Sequence, residues 1–497
     1  MAAGTLIVRA DASTEIGTGH VMRCLALAQA WQDAGGEVAF AMARSTLAVE
    51  ERLRSERVEI VKVEAQDATQ LIQLARARRA KWVTLDGYEF DAEYQRKIKD
   101  AGLKLMLVDD GWRPGHYFAD LVLNQNAHAR ESLYAQREPY TRLLLGPHYA
   151  MLRREFAPWR EFKREIAAVG NKVLVTMGGS DPDNVTLRVL EASPMVAVDG
   201  LEATVVVGGS NPHFESLERS ASQSGKAIRL VRDAANMPQL MAWADVAISA
   251  AGSTCWEMCL LRLPAMVIDL APNQLPIAQE LARTHVAIHL GGTKDVTAEQ
   301  IGVRLESLLQ SSELRTAMSN RGRELVDGKG AQRVVCAIQA STLRLRRVEE
   351  RDCRLLWEWA NDPVVRAASF SQAPISWEEH RAWFAGKMND EKSLILIGEN
   401  EQGRAIGQFR LDWRSRDEGD IDVSLAPEAR GAGYGSVLIN LGVRQIFETT
   451  ATQRVHAFIR PENLASMRAF ERAGFSKLGD EQVKGHAAIH YMRMRET

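Results

Sequence analysis

An α/β protein with two doubly wound lobes, followed by a smaller mixed α/β domain, is the fold class this sequence predicts. Three observations predict it. From Thr5 to about Ser341, short apolar runs alternate with amphipathic helical stretches, the pattern of parallel sheets covered on both faces. The 497 residues exceed what one core holds and point to roughly two to four domains. Beyond Thr342 the pattern changes, with an alternating strand that leads into a glycine-rich loop and an apolar helix.

The first lobe, residues 1–155, opens on the strand TLIVRA at Thr5 and continues with VAFAMA at Val38, WVTLDG at Trp82 and LKLMLVDDG at Leu103. Between the first two strands lies the apolar helix VMRCLALAQAW, which Gly35 and Gly36 bring to an end. The segment GPHYAMLRREF, Gly146 to Phe156, interrupts the periodicity and carries Gly-Pro, so the joint between lobes is expected there. The second lobe, residues 156–340, contains KVLVTMGGS at Lys172, EATVVVGGS at Glu202, AIRLV at Ala227, DVAISAAGS at Asp245 and AMVIDL at Ala265. A helix through Ala331 to Ala340 runs almost directly into the basic strand TLRLRRV at Thr342, and residues 341–497 form the third domain. There the strand IDVSLAP from Ile421 precedes RGAGYG, Arg430 to Gly435, and the run VLINLGV from Val437. About 30 residues further on, Asn463 opens a helix on which Met467, Phe470 and Ala473 share one face.

Acidic and basic residues are interspersed, 64 against 62, for a formal net charge of −2. That balance leaves no electrostatic footprint for nucleic acid or for an anionic membrane. The opening MAAGTLIVRADAS has neither a basic leader nor a long apolar core, and no run of about 18 apolar residues occurs, so a cytoplasmic protein is expected. Five cysteines without a C-x-x-C pair read as reduced core residues. Cys255 and Cys259 share a helix face, but no histidine stands at ligand spacing, and no metal site is expected.

Ligands of open α/β sheets collect beyond the carboxyl ends of strands. After the first strand, ADASTEIGTGH combines Gly17 and Gly19, which permit close backbone approach, with His20 in the first turn of a helix. Two readings of His20 stand: a hydrogen bond to a nearby carbonyl, or a general base, since a helix N-terminus favours the uncharged imidazole that accepts a proton. In the second lobe two turns offer backbone N–H groups to a diphosphate. One is GGSDPDN, with Gly178, Gly179 and Ser180 at the turn, Asp181 as N-cap and Pro182 at the first helical position. The other is AAGSTCWEM, whose helix starts at Ser253 or Thr254. Glu257 follows Thr254 at the spacing of a capping box, or else accepts both hydroxyls of a ribose. Asn273 and Gln274 follow the next strand and suit a sugar or a base. In the third domain Arg430, Gly431, Ala432, Gly433, Tyr434 and Gly435 form a strand-to-helix turn suited to a pyrophosphate.

That last loop, together with RPENLASMRAFERAGF from Arg460 to Phe475, resembles the GNAT acetyltransferases, which use R-x-x-G-x-G for the pyrophosphate of acetyl-CoA. The resemblance covers about Thr342 to Thr497. It implies acetyl-CoA as co-substrate and Asn463 hydrogen-bonded to CoA or to a water near the thioester. Many members of that family carry a tyrosine general acid where Phe470 stands here, which leaves Tyr491, a water or no group in that role. Glu418, Asp420 and Asp422 are candidate bases or inert surface charges, and Arg366 is a candidate contact for a diphosphate.

Upstream, the GTGH start, the GGSDPDN turn, the AGST-x-x-E helix start and the Asn273-Gln274 pair follow the order found in two-lobed GT-B enzymes that handle UDP-sugars. More narrowly, RADAS-x-x-IGTGHVMRCLALA, TLDGYEFD at Thr84 and VDDG at Val108 resemble the UDP-sugar hydrolases of pseudaminic acid biosynthesis, over about residues 5–340. That resemblance implies release of UDP from UDP-2,4-diacetamido-2,4,6-trideoxy-β-L-altropyranose, and no metal is expected there, since neither lobe shows a clear metal site and helix dipoles can partly take the place of a cation. His20 is then the base or water-orienter, the turns at Gly178–Ser180 and Ser253–Thr254 hold UDP, and Glu257 meets the ribose. Asp86, Tyr88 and Asp109 contact the sugar or orient His20, or else serve as caps and turn formers. The preceding step in the pathway of that family is acetylation of the 4-amino group of UDP-4-amino-4,6-dideoxy-N-acetyl-β-L-altrosamine by a GNAT enzyme, so the fusion implies two consecutive steps on one chain. A glycosyltransferase using the same cradle, and a sugar-nucleotide sensor that closes without turnover, stay open beside it.

Overall fold

The computed structural model describes the chain apart from residues 1–3, 14–15, 112–114, 235, 341–342, 401, 432–433 and 496–497. It divides into two compact units whose boundary, between Val334 and Val335, falls inside the helix Gly330–Ala340.

In the first unit, seven parallel strands form one sheet: β1 (Thr5–Ala10), β2 (Glu37–Met42), β3 (Glu59–Lys62), β4 (Trp82–Asp86), β5 (Lys104–Val108), β6 (Leu121–Asn124) and β7 (Arg142–Leu145). Their spatial order is β3-β2-β1-β4-β5-β6-β7. A second parallel sheet holds β8 (Lys172–Thr176), β9 (Glu202–Val207), β10 (Ala227–Arg232), β11 (Val246–Ala250), β12 (Ala265–Asp269) and β13 (Ala287–Gly292), in the order β10-β9-β8-β11-β12-β13. In both sheets the winding reverses beside the first strand, between β1 and β4 and between β8 and β11. A crevice at the strand ends is expected at such a reversal.

Burial of the second sheet shows why its strands are apolar throughout. Val173, Val175, Val246, Ile248, Met266 and Ile268 enter one core, while Leu174, Ala247, Ala265 and Val267 enter another on the opposite face, as the two-residue period of a strand requires. The sequence pattern does not single out β3, β6, β7 and β13. β3, β7 and β13 are edge strands whose residues are mostly half-buried or exposed, and β6 has only four residues.

The joint between lobes lies where the periodicity breaks. Gly146 takes a φ of 94°, a conformation glycine adopts without strain. Beyond it, Arg154 N–H donates to Gln29 Oε1 at 2.7 Å in the first lobe, while Arg153 reaches Glu257 in the second at 2.8 Å.

The second unit carries a sheet of β14 (Arg344–Arg347), β15 (Ser393–Glu399), β16 (Ala405–Trp413), β17 (Glu418–Leu425), β18 (Arg454–Ile459), β19 (Ser476–Val483) and β20 (His486–Met494), ordered β14-β15-β16-β17-β18-β20-β19. All neighbours are antiparallel except β17 and β18, which pair in parallel only from Glu418–Asp420 to Arg454–His456. Past that point each strand continues without the other. The helix Tyr434–Thr449 lays Leu438, Ile439, Val443 and Ile446 against Phe409, Leu411 and Val455. A Cβ at Gly442 would sit 2.3 Å from the Phe409 ring, so only glycine allows that approach. Phe470 and Ala473 are buried in the same core with Met467 packed against it, the face expected from their spacing. Among the described residues no helix is long and apolar enough to cross a membrane.

Candidate active sites

Three loops at the carboxyl end of the first sheet converge on Arg23. The helix Gly19–Asp33 begins right after the loop that follows β1, so His20 and Arg23, three residues apart, lie on one face of its first turn. Asp86 closes β4, and Asp110 follows β5. His20 Nδ1 lies 2.5 Å from Asp86 Oδ1. The Arg23 guanidinium donates to both oxygens of Asp86, at 2.6 and 2.7 Å, and to Asp110 Oδ1 at 2.8 Å. Cys24 Sγ–H reaches Asp86 Oδ2 at 3.3 Å. Arg23, Asp86 and Asp110 are all buried.

Burial works against ionisation of both carboxyls, but Arg23 outweighs it. Asp86, which also faces His20, is held well below the usual carboxylate range, and Asp110 is lowered as well. An ionised Asp86 only accepts hydrogen bonds, so His20 Nδ1 carries the proton toward it and Nε2 carries the lone pair. The imidazole is thereby set in the tautomer that takes a proton at Nε2.

Tyr88 connects this cluster to the second lobe. Its hydroxyl donates to Asp110 Oδ2 at 2.9 Å and accepts from Asn273 Nδ2 at 2.7 Å, and its ring stands edge-on to His20, 5.2 Å between centres. Asn126 Nδ2 donates to Asp110 Oδ1 at 2.8 Å, and His128 Nε2 to the Asp110 carbonyl at 3.1 Å. Asp109 turns elsewhere: its Oδ2 accepts from Gly111 N–H at 2.9 Å and from the Tyr117 hydroxyl at 3.3 Å. The structure brings His20, Asp86, Tyr88 and Asn273 together, and it substitutes Asp110 for Asp109 beside them. Sequence reasoning missed Arg23, Asp110 and Asn126. The signals were present, in an arginine one helical turn after His20 and in the second aspartate of VDDG.

The facing turn of the second lobe follows β8. Gly178 takes a φ of 79°, and a Cβ on Gly179 would lie 2.9 Å from Thr18 Oγ1, so the GTGH loop and the glycine turn meet across the cleft. Gly17, with a φ of 74°, closes the small bridge to Ser13 that shapes that loop. Ser180 is buried. Asp181 is not the N-cap at the start of Val185–Ala192; Asn184 holds that position in a left-handed conformation. Asp181 nonetheless binds the helix start from further back, accepting from Val185 N–H at 2.8 Å and Thr186 N–H at 2.9 Å.

Ser253 precedes the helix Thr254–Leu260, whose first turn has no side-chain cap. Glu257 does not close a capping box there. Its Oε1 accepts from Arg153 at 2.8 Å, and burial, opposed by that arginine, raises its carboxyl above the ordinary value. Gln274 spends its Oε1 on Leu270 N–H at 3.0 Å. Among the described residues no group of three or more His, Cys, Asp or Glu side chains is placed to hold a metal ion.

In the second unit Gly431 takes a φ of 72°, and the following helix starts at Tyr434; Ala432 and Gly433 lie outside the described residues. Arg430 is anchored beside this turn by Asp362 Oδ1 at 2.6 Å and the Leu425 carbonyl at 3.2 Å. Tyr434 is buried, its hydroxyl on Gln339 Oε1 at 2.9 Å. A Cβ on Gly435 would make only ordinary contacts, so space alone does not require glycine there. Asn463 is the N-cap of Leu464–Arg472, accepting from Ser466 N–H at 3.1 Å. The Tyr491 hydroxyl donates to Glu471 Oε1 at 2.8 Å, and burial with that carboxylate pushes the phenol up to about 12. Arg366 closes its own loop on the carbonyls of Ala360 and Ser371. Glu418 and Asp420 are paired with Arg454 and Arg414, and Asp422 lies 3.8 Å from Arg410.

Residues 173–332 match the Glycosyltransferase family 28 C-terminal domain, and residues 342–476 match the Acetyltransferase (GNAT) domain. The chain is similar to an uncharacterized protein of Methanocaldococcus jannaschii, 23% identical over 94% of this chain and 96% of that one. It is 28% identical to the spore coat polysaccharide biosynthesis protein SpsG of Bacillus subtilis, over 66% of this chain and 96% of that one. It is also 28% identical to the UDP-2,4-diacetamido-2,4,6-trideoxy-beta-L-altropyranose hydrolase of Campylobacter jejuni, over 56% of this chain and 96% of that one.

Proposed function

We propose that this chain, which joins a glycosyltransferase family 28 C-terminal domain to a GNAT acetyltransferase domain, acetylates a UDP-linked amino sugar with its second unit and hydrolyses the acetylated product with its first. The acceptor is the 4-amino group of UDP-4-amino-4,6-dideoxy-N-acetyl-β-L-altrosamine. The products of the second step are UDP and the free 2,4-diacetamido-2,4,6-trideoxy-L-altrose. Similarity to the Campylobacter hydrolase supports the choice of sugar.

The observation that carries the hydrolase reading is the buried Asp86 holding His20 in one tautomer at the switch point of the first sheet. A water adds at the anomeric carbon while His20 Nε2 takes its proton. The bond from that carbon to the diphosphate oxygen breaks, and the electron pair leaves with UDP. Backbone N–H groups at Gly178–Ser180 and at the Ser253–Thr254 helix start receive the growing negative charge. Glu257, pinned by Arg153, keeps a second oxygen for the ribose hydroxyls, and Tyr88 with Asn273 and Gln274 lines the sugar side.

In the second unit acetyl-CoA is the other substrate. The strand edges beyond Asp420 and His456 expose backbone groups to its amide-bearing arm, and the Gly431 turn with the helix start at Tyr434 suits its pyrophosphate. Arg430 steadies that turn, and Asn463 orders the nearby helix start. Tyr491 is a candidate donor to the departing thiolate when Glu471 releases it.

The test is His20→Gln in the full chain, given the acetylated UDP-sugar and no acceptor. UDP release is expected to fall about 10²–10⁴-fold, with CoA release from the amino substrate unchanged. Wild-type protein that releases UDP only when an acceptor hydroxyl is added is a glycosyltransferase, and tight binding without UDP release marks a sensor.

A further inference from the structure

One face of the second unit's sheet carries a chain of imidazoles that the acetyl-transfer reading leaves unused. Val455, Ala457 and Ile459 of β18 enter the core under the helix Tyr434–Thr449, so His456 and Phe458 face the other way. His456 is the last residue of β18 paired with β17, opposite Asp420, and therefore stands where the two strands part. Its Nδ1 lies 3.0 Å from Nε2 of His490 on β20. His490 Nδ1 lies 2.7 Å from Glu481 Oε1 on β19, and Phe458 stacks on the His490 ring at 4.5 Å.

With both imidazoles neutral, the protons of this chain have one order. An ionised Glu481 only accepts, so His490 Nδ1–H donates to it; His490 Nε2 then accepts from His456 Nδ1–H. The lone pair left over is on His456 Nε2. That atom is buried and has no hydrogen-bond partner among the described residues, in a side chain whose residue is 7% exposed. The charged groups around it are Glu418 and Asp420 on β17, Arg414 in the turn before β17, and His490 on β20. Burial, with Arg414 and His490 acting in the same direction, holds the imidazole below its ordinary value despite the two carboxylates. It is therefore uncharged near neutral pH.

We propose that His456 Nε2 is the base that takes a proton from the acceptor ammonium in the acetyl transfer, with His490 and Glu481 as positioning residues that hold its tautomer. The inference rests on the acetyltransferase reading of this unit. The freed amine lone pair forms the C–N bond at the thioester carbon, and the carbon–sulfur bond breaks with its electron pair on CoA. Of the two protons lost by the ammonium nitrogen, the one on His456 leaves to solvent and the other restores Tyr491 after its hydroxyl has protonated the CoA thiolate.

The experiment follows CoA release from acetyl-CoA and the UDP-4-amino sugar between about pH 5.5 and 9 in the full chain. For His456→Gln, kcat is expected to fall about 10²-fold or more with KM for acetyl-CoA within about twofold, and the acid limb of the kcat/KM profile is expected to vanish. Glu481→Gln, at a half-exposed position, keeps the fold under test: the acid limb is expected to move to lower pH, because an anion that supports the protonated chain is gone. A His456→Gln protein that acetylates within about threefold of wild type with the same acid limb overturns the proposal, as does an unmoved limb in Glu481→Gln. Wild-type protein that binds acetyl-CoA but acetylates no amine overturns the acetyltransferase reading itself, a result separable from the other two.

Discussion

Arg23 is the residue on which the cluster proposed as the hydrolase site depends. Two buried carboxylates, Asp86 and Asp110, share its guanidinium, and each reaches one functional partner, His20 or Tyr88. Replacing Arg23 by Gln leaves both carboxylates buried without their cation, a change expected to destabilise the first unit by about 3–5 kcal/mol. A urea midpoint followed by tryptophan fluorescence would read that loss, and an unchanged midpoint would remove Arg23 from its central place. Asp86→Asn is expected to lower UDP release about as much as His20→Gln, because an amide donor toward Nδ1 favours the other tautomer and places the proton on Nε2; steady-state UDP release checks it. His20 and Asp86 were legible as candidates because Asp86 closes an apolar strand and His20 opens the helix that follows another, where the chain has no packing reason to place them. The choice between Asp109 and Asp110 was not. Neighbouring residues after a strand point in different directions, and only Tyr117 and Gly111 on one side, with Arg23 and Asn126 on the other, decide which carboxylate faces the cleft.

Turns and helix starts decide how closely the lobes can meet a ligand. Gly208 lies so near the glycine turn after β8 that a Cβ there would fall 2.4 Å from the Gly179 carbonyl oxygen. Backbone cannot yield as a side-chain tip does. Gly208→Ala is therefore expected to cost about 1–3 kcal/mol in stability and to weaken UDP binding, both measurable by thermal unfolding with and without UDP; a variant with wild-type stability and affinity contradicts the packing. The glycine turn after β8 was legible in the sequence because a glycine pair after an apolar strand has few other uses. Sequence reasoning misjudged the capping. Asp181 and Pro182 have the right order for an N-cap, but Asp181 at a φ of 42° extends the turn and delays the helix to Val185. Thr254 and Glu257 have capping-box spacing, yet Arg153 from the joint between lobes claims the carboxylate. Long-range partners of this kind leave no local periodicity.

Across the whole chain, two compact units should also answer pH separately. His380 and His456 of the second unit are buried and held below their ordinary value, chiefly by burial. Unfolding lets them take protons below the unfolded value of about 6.5, so the stability they allow is present above that pH and is lost as pH falls toward and through their folded values. Amide-exchange protection in β15, β18 and β20 is expected to drop between about pH 7.5 and 5.5, and protection that rises over that interval contradicts the sign. The broad architecture was readable from sequence because both parallel sheets bury their strands on both faces, whereas the parting of β17 from β18 is a matter of register that no run of residues announces. The measurement to make is chromatography of UDP-4-amino-4,6-dideoxy-N-acetyl-β-L-altrosamine incubated with the full chain and acetyl-CoA, without any sugar acceptor. Two consecutive reactions on one chain predict CoA, free UDP and the free diacetamido sugar together; an acetylated UDP-sugar that accumulates intact would contradict them.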